Sequence, residues 1–158
     1  MEKQIQAAVG YLELGMLVEA NDEIESLPPH LKTSSAALGV RLEIYRAAEK
    51  WNLMEVVARE LWKRHQEEPV YWNDLAWTVR RASGLGEALK ISSEALEKFP
   101  DDAMTNYNLG CNLCQLGDLE AAKEKVGKAI KLDAKYKLLA LDDPDLEPMW
   151  KMWSEAGV

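Results

Sequence analysis

The feature that most constrains the fold of this 158-residue chain is an internal repeat with a period of about 34 residues. It is clearest between Asn106 and Ala134, where two stretches of apolar residues at helical spacing flank Gly117-Asp118. Apolar residues that recur every three or four positions form one face of an amphipathic helix, and a glycine after such a stretch is a helix stop signal. This stretch therefore predicts two helices of about 13 residues joined by a tight turn.

The same pattern recurs upstream without a gap. The shift that places Gly110 on Ala76 also places Ala122 on Ala88. Periods of this length are typical of stacked helical repeats, in which no single unit buries its apolar face alone. The shift divides the chain into four blocks, at residues 1–34, 35–68, 69–102 and 103–136. We expect one domain over residues 1–158, in which residues 137–158 form a truncated helix and a capping helix.

Within the blocks, small and large side chains keep to separate columns. Small side chains let the two helices of a block approach closely, whereas large ones fill the space up to the next block. The small residues are Ala8, Ala20, Ala76, Ala88, Gly110 and Ala122, and the large ones include Tyr11, Tyr45, Trp51 and Leu61.

These columns resemble the tetratricopeptide-repeat (TPR) family, whose pattern is W-x₂-L-G-x₂-Y, then A-x₃-F, then P. The third block offers Trp72-x₂-Leu75-Ala76-x₂-Val79, Ala88-x₃-Ser92 and Pro100, and the fourth offers Asn106-x₂-Leu109-Gly110-x₂-Leu113 and Ala122-x₃-Val126. The second block departs most, because Arg41-Leu42 replaces the apolar-small pair and Met54 replaces a small residue. The resemblance implies an all-α fold, a right-handed α-solenoid of antiparallel helix pairs that forms a TPR-like superhelix.

Two segments depart from the repeat. Pro28-Pro29 is expected to end the second helix early, because proline cannot continue a helix interior. Ser34 or Ser35 is then expected to cap the next helix.

After residue 136, a helix over about Lys135 to Leu141 is expected to stop at Asp142-Asp143-Pro144. Asp145 is expected to cap a last helix with Pro148 in its first turn. The apolar stripe of this helix would cover the open face of the fourth block, and it consists of Leu146, Met149, Trp150 and Trp153.

In TPR proteins the first helices of successive repeats line a concave groove where peptides usually bind, so the resemblance implies a protein- or peptide-binding scaffold. Carried over by column, the candidate groove residues are Asn73, Trp77, Arg80, Arg81, Tyr107, Asn108 and Cys111. Trp77 and Tyr107 would provide apolar anchors, and Arg80 and Arg81 would bind a carboxylate. Asn73 and Asn108 would bond a peptide backbone. In the alternative interpretation, Trp77 packs between repeats and the arginines are solvated.

Some TPR proteins hold a chaperone's C-terminal carboxylate with a set of Lys, Asn and Arg on neighbouring first helices. The corresponding columns of this chain hold residues such as Gly39, Glu43 and Asp74, which do not form that set. We therefore do not expect a chaperone-tail clamp.

The sequence contains no pattern that favours an enzyme. Cys111 and Cys114 form a single C-x-x-C in mid-helix, which we interpret as two small residues on a helix face. A redox or metal role for this pair is the alternative. Acidic pairs such as Asp142-Asp143 fall in turns and are interpreted as solvated caps. We expect no catalytic residues, no metal and no cofactor.

Composition narrows the class of partner. The net charge of −8 argues against nucleic acid, because a basic surface is needed to displace its counterions. No apolar stretch is long enough to cross a membrane, and the two cysteines indicate a reducing, cytoplasmic location. We expect a protein or peptide partner, and a chain that is a monomer or a weak homodimer. An alternative function is self-assembly, with the Trp-rich C-terminal helix docking on another copy.

Overall fold

The computed structural model describes residues 2–155, apart from the side chains of Trp153 and Glu155. Over these residues the regular structure is helical throughout, with no strand. The α-helices are α1 Glu2–Glu13, α2 Leu17–Glu25, α3 Ser35–Ala47, α4 Trp51–Arg64, α5 Pro69–Ala82, α6 Leu85–Lys98, α7 Ala103–Leu116, α8 Leu119–Leu132, α9 Lys135–Asp142 and α10 Glu147–Glu155, and a 3₁₀ turn at Pro144–Leu146 precedes α10. None of the described helices is both long enough and apolar enough to cross a bilayer.

The helix starts recur at the period of the sequence. The helices α3, α5 and α7 begin at Ser35, Pro69 and Ala103, which are the first residues of the second, third and fourth blocks. The second helices of the pairs, α2, α4, α6 and α8, begin at Leu17, Trp51, Leu85 and Leu119 with the same spacing. The helix boundaries therefore follow the period of the sequence.

The α7–α8 turn shows how this boundary is made. Gly117 ends α7 with a φ of 95°, a left-handed conformation that costs glycine no steric strain. Asp118 then caps α8, since its side chain accepts from the backbone N–H of Ala121 at 3.2 Å. The predicted tight turn is confirmed.

The segment between α2 and α3 departs from the repeat, as expected. The helix α2 ends at Glu25 and has nine residues, whereas α4 has fourteen. It stops before Pro28, with the backbone N–H of Ser26 closing the last turn on Asp22. Ser34 caps α3 by accepting from the N–H of Ala37.

The described contacts divide the chain into two compact units, Met1–His65 and Gln66–Val158. The first unit has a core from α1, α2 and α3, formed by Ala8, Ala20, Ile24, Leu27, Ala37, Val40 and Ile44. The second has a core that runs from α7 and α8 into the C-terminal helices, formed by Tyr107, Cys111, Cys114, Ala122, Val126, Ala129, Tyr136, Ala140, Leu146 and Met149. The single domain expected from the sequence stays a prediction.

In the second unit, α10 packs on its own chain. Leu146 and Met149 are fully buried against α7 and α8. The indole N–H of Trp150 donates to the carbonyl of Ala140 at 2.7 Å. The Trp153 side chain, which was also placed in this stripe, lies outside the described residues.

Asp145 was predicted to cap the last helix, but it lies inside the 3₁₀ turn that precedes α10. Asp143 caps that turn: its carboxylate accepts from the backbone N–H of Asp145 at 2.9 Å. Pro144 takes the first position of the 3₁₀ turn, where its missing N–H removes no hydrogen bond. The Asp145 carboxylate is thereby free to point elsewhere.

Gly110 sets the distance between α7 and α8. A Cβ at this position would lie 2.7 Å from Cγ2 of Val126 and 3.2 Å from the carbonyl oxygen of Ala122. Because the Val126 side chain is stiff at its first torsion and the oxygen belongs to the backbone, both neighbours would have to shift to make room. The small-residue column therefore has the role predicted for it in this pair.

We predict that Gly110→Ala lowers the free energy of unfolding by about 1–3 kcal/mol, because it overpacks the α7–α8 contact. The matched control is Gly127→Ala in α8, where an added Cβ meets nothing within 4 Å. That change should leave stability unchanged or raise it by up to about 1 kcal/mol, since alanine favours a helix over glycine. Urea unfolding followed by circular dichroism measures both, and equal midpoints for the two variants would contradict the close approach.

Candidate functional site

The candidate groove residues of the second unit lie on two neighbouring helices. Trp77 and Arg80 lie on α5, and Tyr107, Asn108 and Cys111 lie on α7. Spacings of three and four residues bring such side chains to one face of each helix. A cavity of about 110 Å³ is lined by Trp77, Arg80, Tyr107, Asn108, Cys111, Asn112, Asp143 and Asp145.

Three of these lining residues, Asn112, Asp143 and Asp145, do not belong to the predicted groove. Asp143 and Asp145 come from the segment Asp143–Asp145, which we call the acidic turn. The chain therefore places two of its own carboxylates against the face on which the sequence predicts a bound peptide.

Arg80 binds the second of these carboxylates. Its Nη1 and Nη2 donate to the two carboxylate oxygens of Asp145 at 2.7 and 2.6 Å. This two-pronged geometry matches the planar guanidinium to the planar carboxylate and makes a strong, directional pair. The Arg80 side chain is 18% exposed and that of Asp145 is 30% exposed, so solvent screens the pair only in part.

Helix α7 holds the rest of the acidic turn. The hydroxyl of Tyr107 donates to Oδ2 of Asp143 at 2.7 Å, and the thiol of Cys111 lies 3.7 Å from the same oxygen. One turn further on, Nε2 of Gln115 donates to the backbone carbonyl of Asp145 at 2.8 Å. Donors from α5 and α7 thus converge on a segment of three residues.

The donors on α7 stay protonated at neutral pH. Burial raises the pKa of the Tyr107 phenol far above its ordinary value, and its hydrogen bond to Asp143 raises it further. Burial likewise raises the pKa of the Cys111 thiol, and the negative charges of Asp143 and Asp145 add to the effect. Both groups therefore act as neutral hydrogen-bond donors to a carboxylate.

Asn73 lies between α5 and α7 and not on the open face. It is 3% exposed, and its Nδ2 donates to the carbonyl of Pro69 and to the hydroxyl of Thr105, each at 3.0 Å. Its side-chain oxygen accepts from Nδ2 of Asn108 at 3.2 Å. Asn73 therefore orients Asn108, which lines the cavity, while its own amide is used within the protein.

Trp77 and Arg81 form a more open part of the face. The Arg81 guanidinium lies 3.4 Å from the centroid of the Trp77 ring, a cation–π contact, and Arg81 is exposed. We call this pair the Trp77–Arg81 platform. It combines an apolar surface with a positive charge beside the cavity.

Three residues of this arrangement were not predicted as site residues. Asp143 was interpreted as a solvated cap and Asp145 as a helix cap, yet both carboxylates bond groove side chains. Asn112 is 3% exposed, and its Nδ2 donates to the hydroxyl of Ser92 at 3.0 Å. A sequence signal existed for the turn, because Asp143-Pro144-Asp145 follows a first helix that stops early.

The cysteine pair is buried. Cys111 and Cys114 are 4% and 1% exposed, and burial raises the pKa of both thiols. Since the thiolate is the reactive species, a raised pKa makes both side chains poor nucleophiles. Among the described residues, no group of three His, Cys, Asp or Glu side chains could hold a metal ion.

We predict that both thiols react with a disulfide reagent at pH 8 at least about 100-fold more slowly in the native protein than in urea. Burial and the raised thiol pKa both slow the reaction. The coloured thiolate that the reagent releases, followed over time, gives both rates. A native rate that matches the unfolded one would contradict the buried placement and return the redox role to consideration.

Comparisons with known proteins add the fold. No family model and no curated protein matches the sequence. Solved structures do match. One, described as "MamA MSR-1 C2", has a TM-score of 0.67 and 16% identity, over 84% of this chain and 76% of that one. Another, described as "YrrB: a TPR protein with an unusual peptide-binding site", has a TM-score of 0.67 and 19% identity, over 87% and 72%. The all-α, solenoid-type fold predicted from the repeat is confirmed.

Proposed function

We propose that this chain is a non-enzymatic scaffold that binds a protein or peptide partner on one face of its second unit. This face, which we call the α5–α7 face, is formed by Trp77, Arg80 and Arg81 of α5 and by Tyr107, Asn108, Cys111 and Gln115 of α7. The observation that supports this most directly is the pairing of Arg80 and Tyr107 with the carboxylates of Asp145 and Asp143. The face already holds the acidic turn, which belongs to the same chain. The similar YrrB structure is described as having a peptide-binding site, which agrees with this role.

The chemistry of the face supports binding in preference to catalysis. Its charged and polar groups, Arg80, Tyr107, Asn108 and Gln115, are hydrogen-bond donors that fix the position of an acceptor. The Cys111 thiol, the one sulfur nucleophile that lines the cavity, is kept protonated by burial. Such a set recognises carboxylates and backbone carbonyls and activates no nucleophile.

The Trp77–Arg81 platform supplies the part of the face that is open to a partner. Tryptophan and arginine are enriched among residues that dominate binding energies, because each buries a large area and keeps a directional contact. We therefore propose Trp77 and Arg81 as contact residues, Arg80, Tyr107, Asn108 and Cys111 as lining residues, and Asn73 as the residue that orients Asn108.

Charge and cysteine chemistry support the remaining parts of the proposal. A chain with a net charge of −8 repels nucleic acid and anionic lipid, which favours a protein partner. Two buried free cysteines suit a reducing compartment, so we place the protein in the cytoplasm. Because Leu146 and Met149 of the C-terminal segment are buried in their own unit, we favour a monomer over exchange of α10 between copies.

The test is a peptide array followed by nuclear magnetic resonance. We expect peptides that bind the wild-type chain to shift the indole N–H of Trp77 and the side-chain amide of Asn108. The Trp77→Phe spectrum assigns the indole signal, and the indole of Trp51, in the other unit, is the internal control. If bound peptides shift Trp51 and leave Trp77 unchanged, the α5–α7 face is not the site.

A variant pair tests the energetics of the same face. Trp77→Ala/Arg81→Ala should weaken the best peptide by about 2 kcal/mol, or about 30-fold, because the platform loses both its apolar area and its charge. The control Trp51→Ala/Arg59→Ala removes the same residue types from α4 and should bind as the wild type does. Fluorescence anisotropy gives both dissociation constants, and thermal unfolding checks that each variant is folded. Equal weakening by the two pairs would count against the platform.

A further inference from the structure

The acidic turn contacts the α5–α7 face in the way that a bound peptide would. Asp143 has extended backbone angles, φ −79° and ψ 114°, and Pro144–Leu146 continue from it as a 3₁₀ turn. Its carboxylate and that of Asp145, two residues later, each accept from a groove side chain. The side-chain amide of Gln115 donates to the backbone carbonyl of Asp145. Side-chain donors that fix two carboxylates and one carbonyl define a short recognition pattern.

We infer that the partner of this face is an acidic segment with two carboxylates two residues apart, and that the acidic turn, Asp143-Pro144-Asp145, takes its place in the free chain. The inference rests on the function proposed above and adds the class of the partner. The contacts of the acidic turn define the sequence pattern that we expect in the partner: an acidic residue, any residue, and a second acidic residue.

The donors of the face select for charge. Arg80 meets both oxygens of one carboxylate, a geometry that a neutral amide cannot reproduce with two N–H donors facing it. At the other position, Tyr107 and Cys111 both direct a proton toward Oδ2 of Asp143. Their raised pKa values keep those protons in place at neutral pH. An asparagine at either position has only one acceptor oxygen, and its NH₂ group would face the N–H or O–H donors of the protein. Half of these contacts would therefore be lost.

The acidic turn is held separately from the hydrophobic anchor behind it. Leu146 and Met149 are 0% exposed and fix α10 to the core. In front of them Pro144 is exposed, and Asp143 and Asp145 are half-buried. A partner can therefore replace the two carboxylates at Arg80 and Tyr107 while the apolar anchor remains in place.

A partner also has contacts open to it that a short turn does not supply. The cavity of about 110 Å³ has Trp77 and Asn108 on its wall beside the two acidic residues. A peptide longer than three residues that follows the groove reaches the Trp77–Arg81 platform as well. Those added contacts provide the differential affinity that displacement of a resident segment requires.

The test uses a labelled peptide of the turn's own sequence, Leu-Asp-Asp-Pro-Asp-Leu, and a matched peptide in which each Asp is Asn. The protein variant is Asp143→Asn/Asp145→Asn, which removes the resident carboxylates with little change in shape. We expect this variant to bind the acidic peptide at least about 10-fold more tightly than the wild type, because the binding-competent state is no longer a minor one. The Asn peptide should bind neither protein.

Two further variants make the result specific. Asp142→Asn/Glu147→Gln removes the same number of charges from exposed neighbours of the turn and should bind the acidic peptide as the wild type does. Adding Arg80→Gln to Asp143→Asn/Asp145→Asn should abolish the gain. Equal gains for the two double variants would overturn the inference, since a general reduction of negative charge would then explain the result.

A measurement on the wild type removes the dependence on variants that fold. Acidic peptide at roughly tens of millimolar, above the effective concentration of a short tether, should shift the side-chain amide of Gln115. The hydrogen bond from this amide to the backbone carbonyl of Asp145 breaks when the turn is displaced. Unmoved signals at that concentration would overturn the inference. If arrayed peptides of other sequence still shift Trp77, the proposed function stands and the acidic class fails. If no arrayed peptide shifts Trp77, the proposed function fails with it.

Discussion

The close contact between Gly110 and α8 is the interaction on which the second unit depends. An added Cβ would meet the Ala122 carbonyl oxygen at 3.2 Å, so α7 and α8 approach closely enough to crowd any side chain at this position. This contact orients α7, because one side of the helix is fixed against α8. The adjacent side of α7 then presents Tyr107, Cys111 and Gln115 to the acidic turn. A packing constraint thus aims the donors of the candidate site.

Buried polar side chains beneath the face give these donors a fixed arrangement. Ser92 accepts from Asn112, whose side-chain oxygen lies 3.5 Å from Nη1 of Arg80. Asn73 and Asn108 form a second such link between α5 and α7. Because a buried amide is costly to leave unpaired, each link restricts the relative position of the helices. The face is therefore held in shape by the protein and not by its ligand.

Much of the fold could be predicted because it follows from local chemistry at a fixed period. Gly117 stops α7, Asp118 caps α8, and both lie in a pattern that a gap-free shift by one repeat exposes. The occupancy of the face could not be predicted in this way. Arg80 and Asp145 are 65 residues apart, and no periodicity links them. Local sequence made Asp145 a good cap, but the long-range ion pair and the nearer cap at Asp143 prevailed.

A carboxylate tethered to the chain differs from one in solution. The acidic turn follows α9 directly, so its effective concentration at Arg80 does not change when the protein is diluted. For a short connection that concentration is on the order of millimolar or more. Acetate, free amino acids and other small anions of the cell would have to exceed it to occupy the same place. The tether therefore sets a concentration threshold, and weak anions below it do not occupy the face.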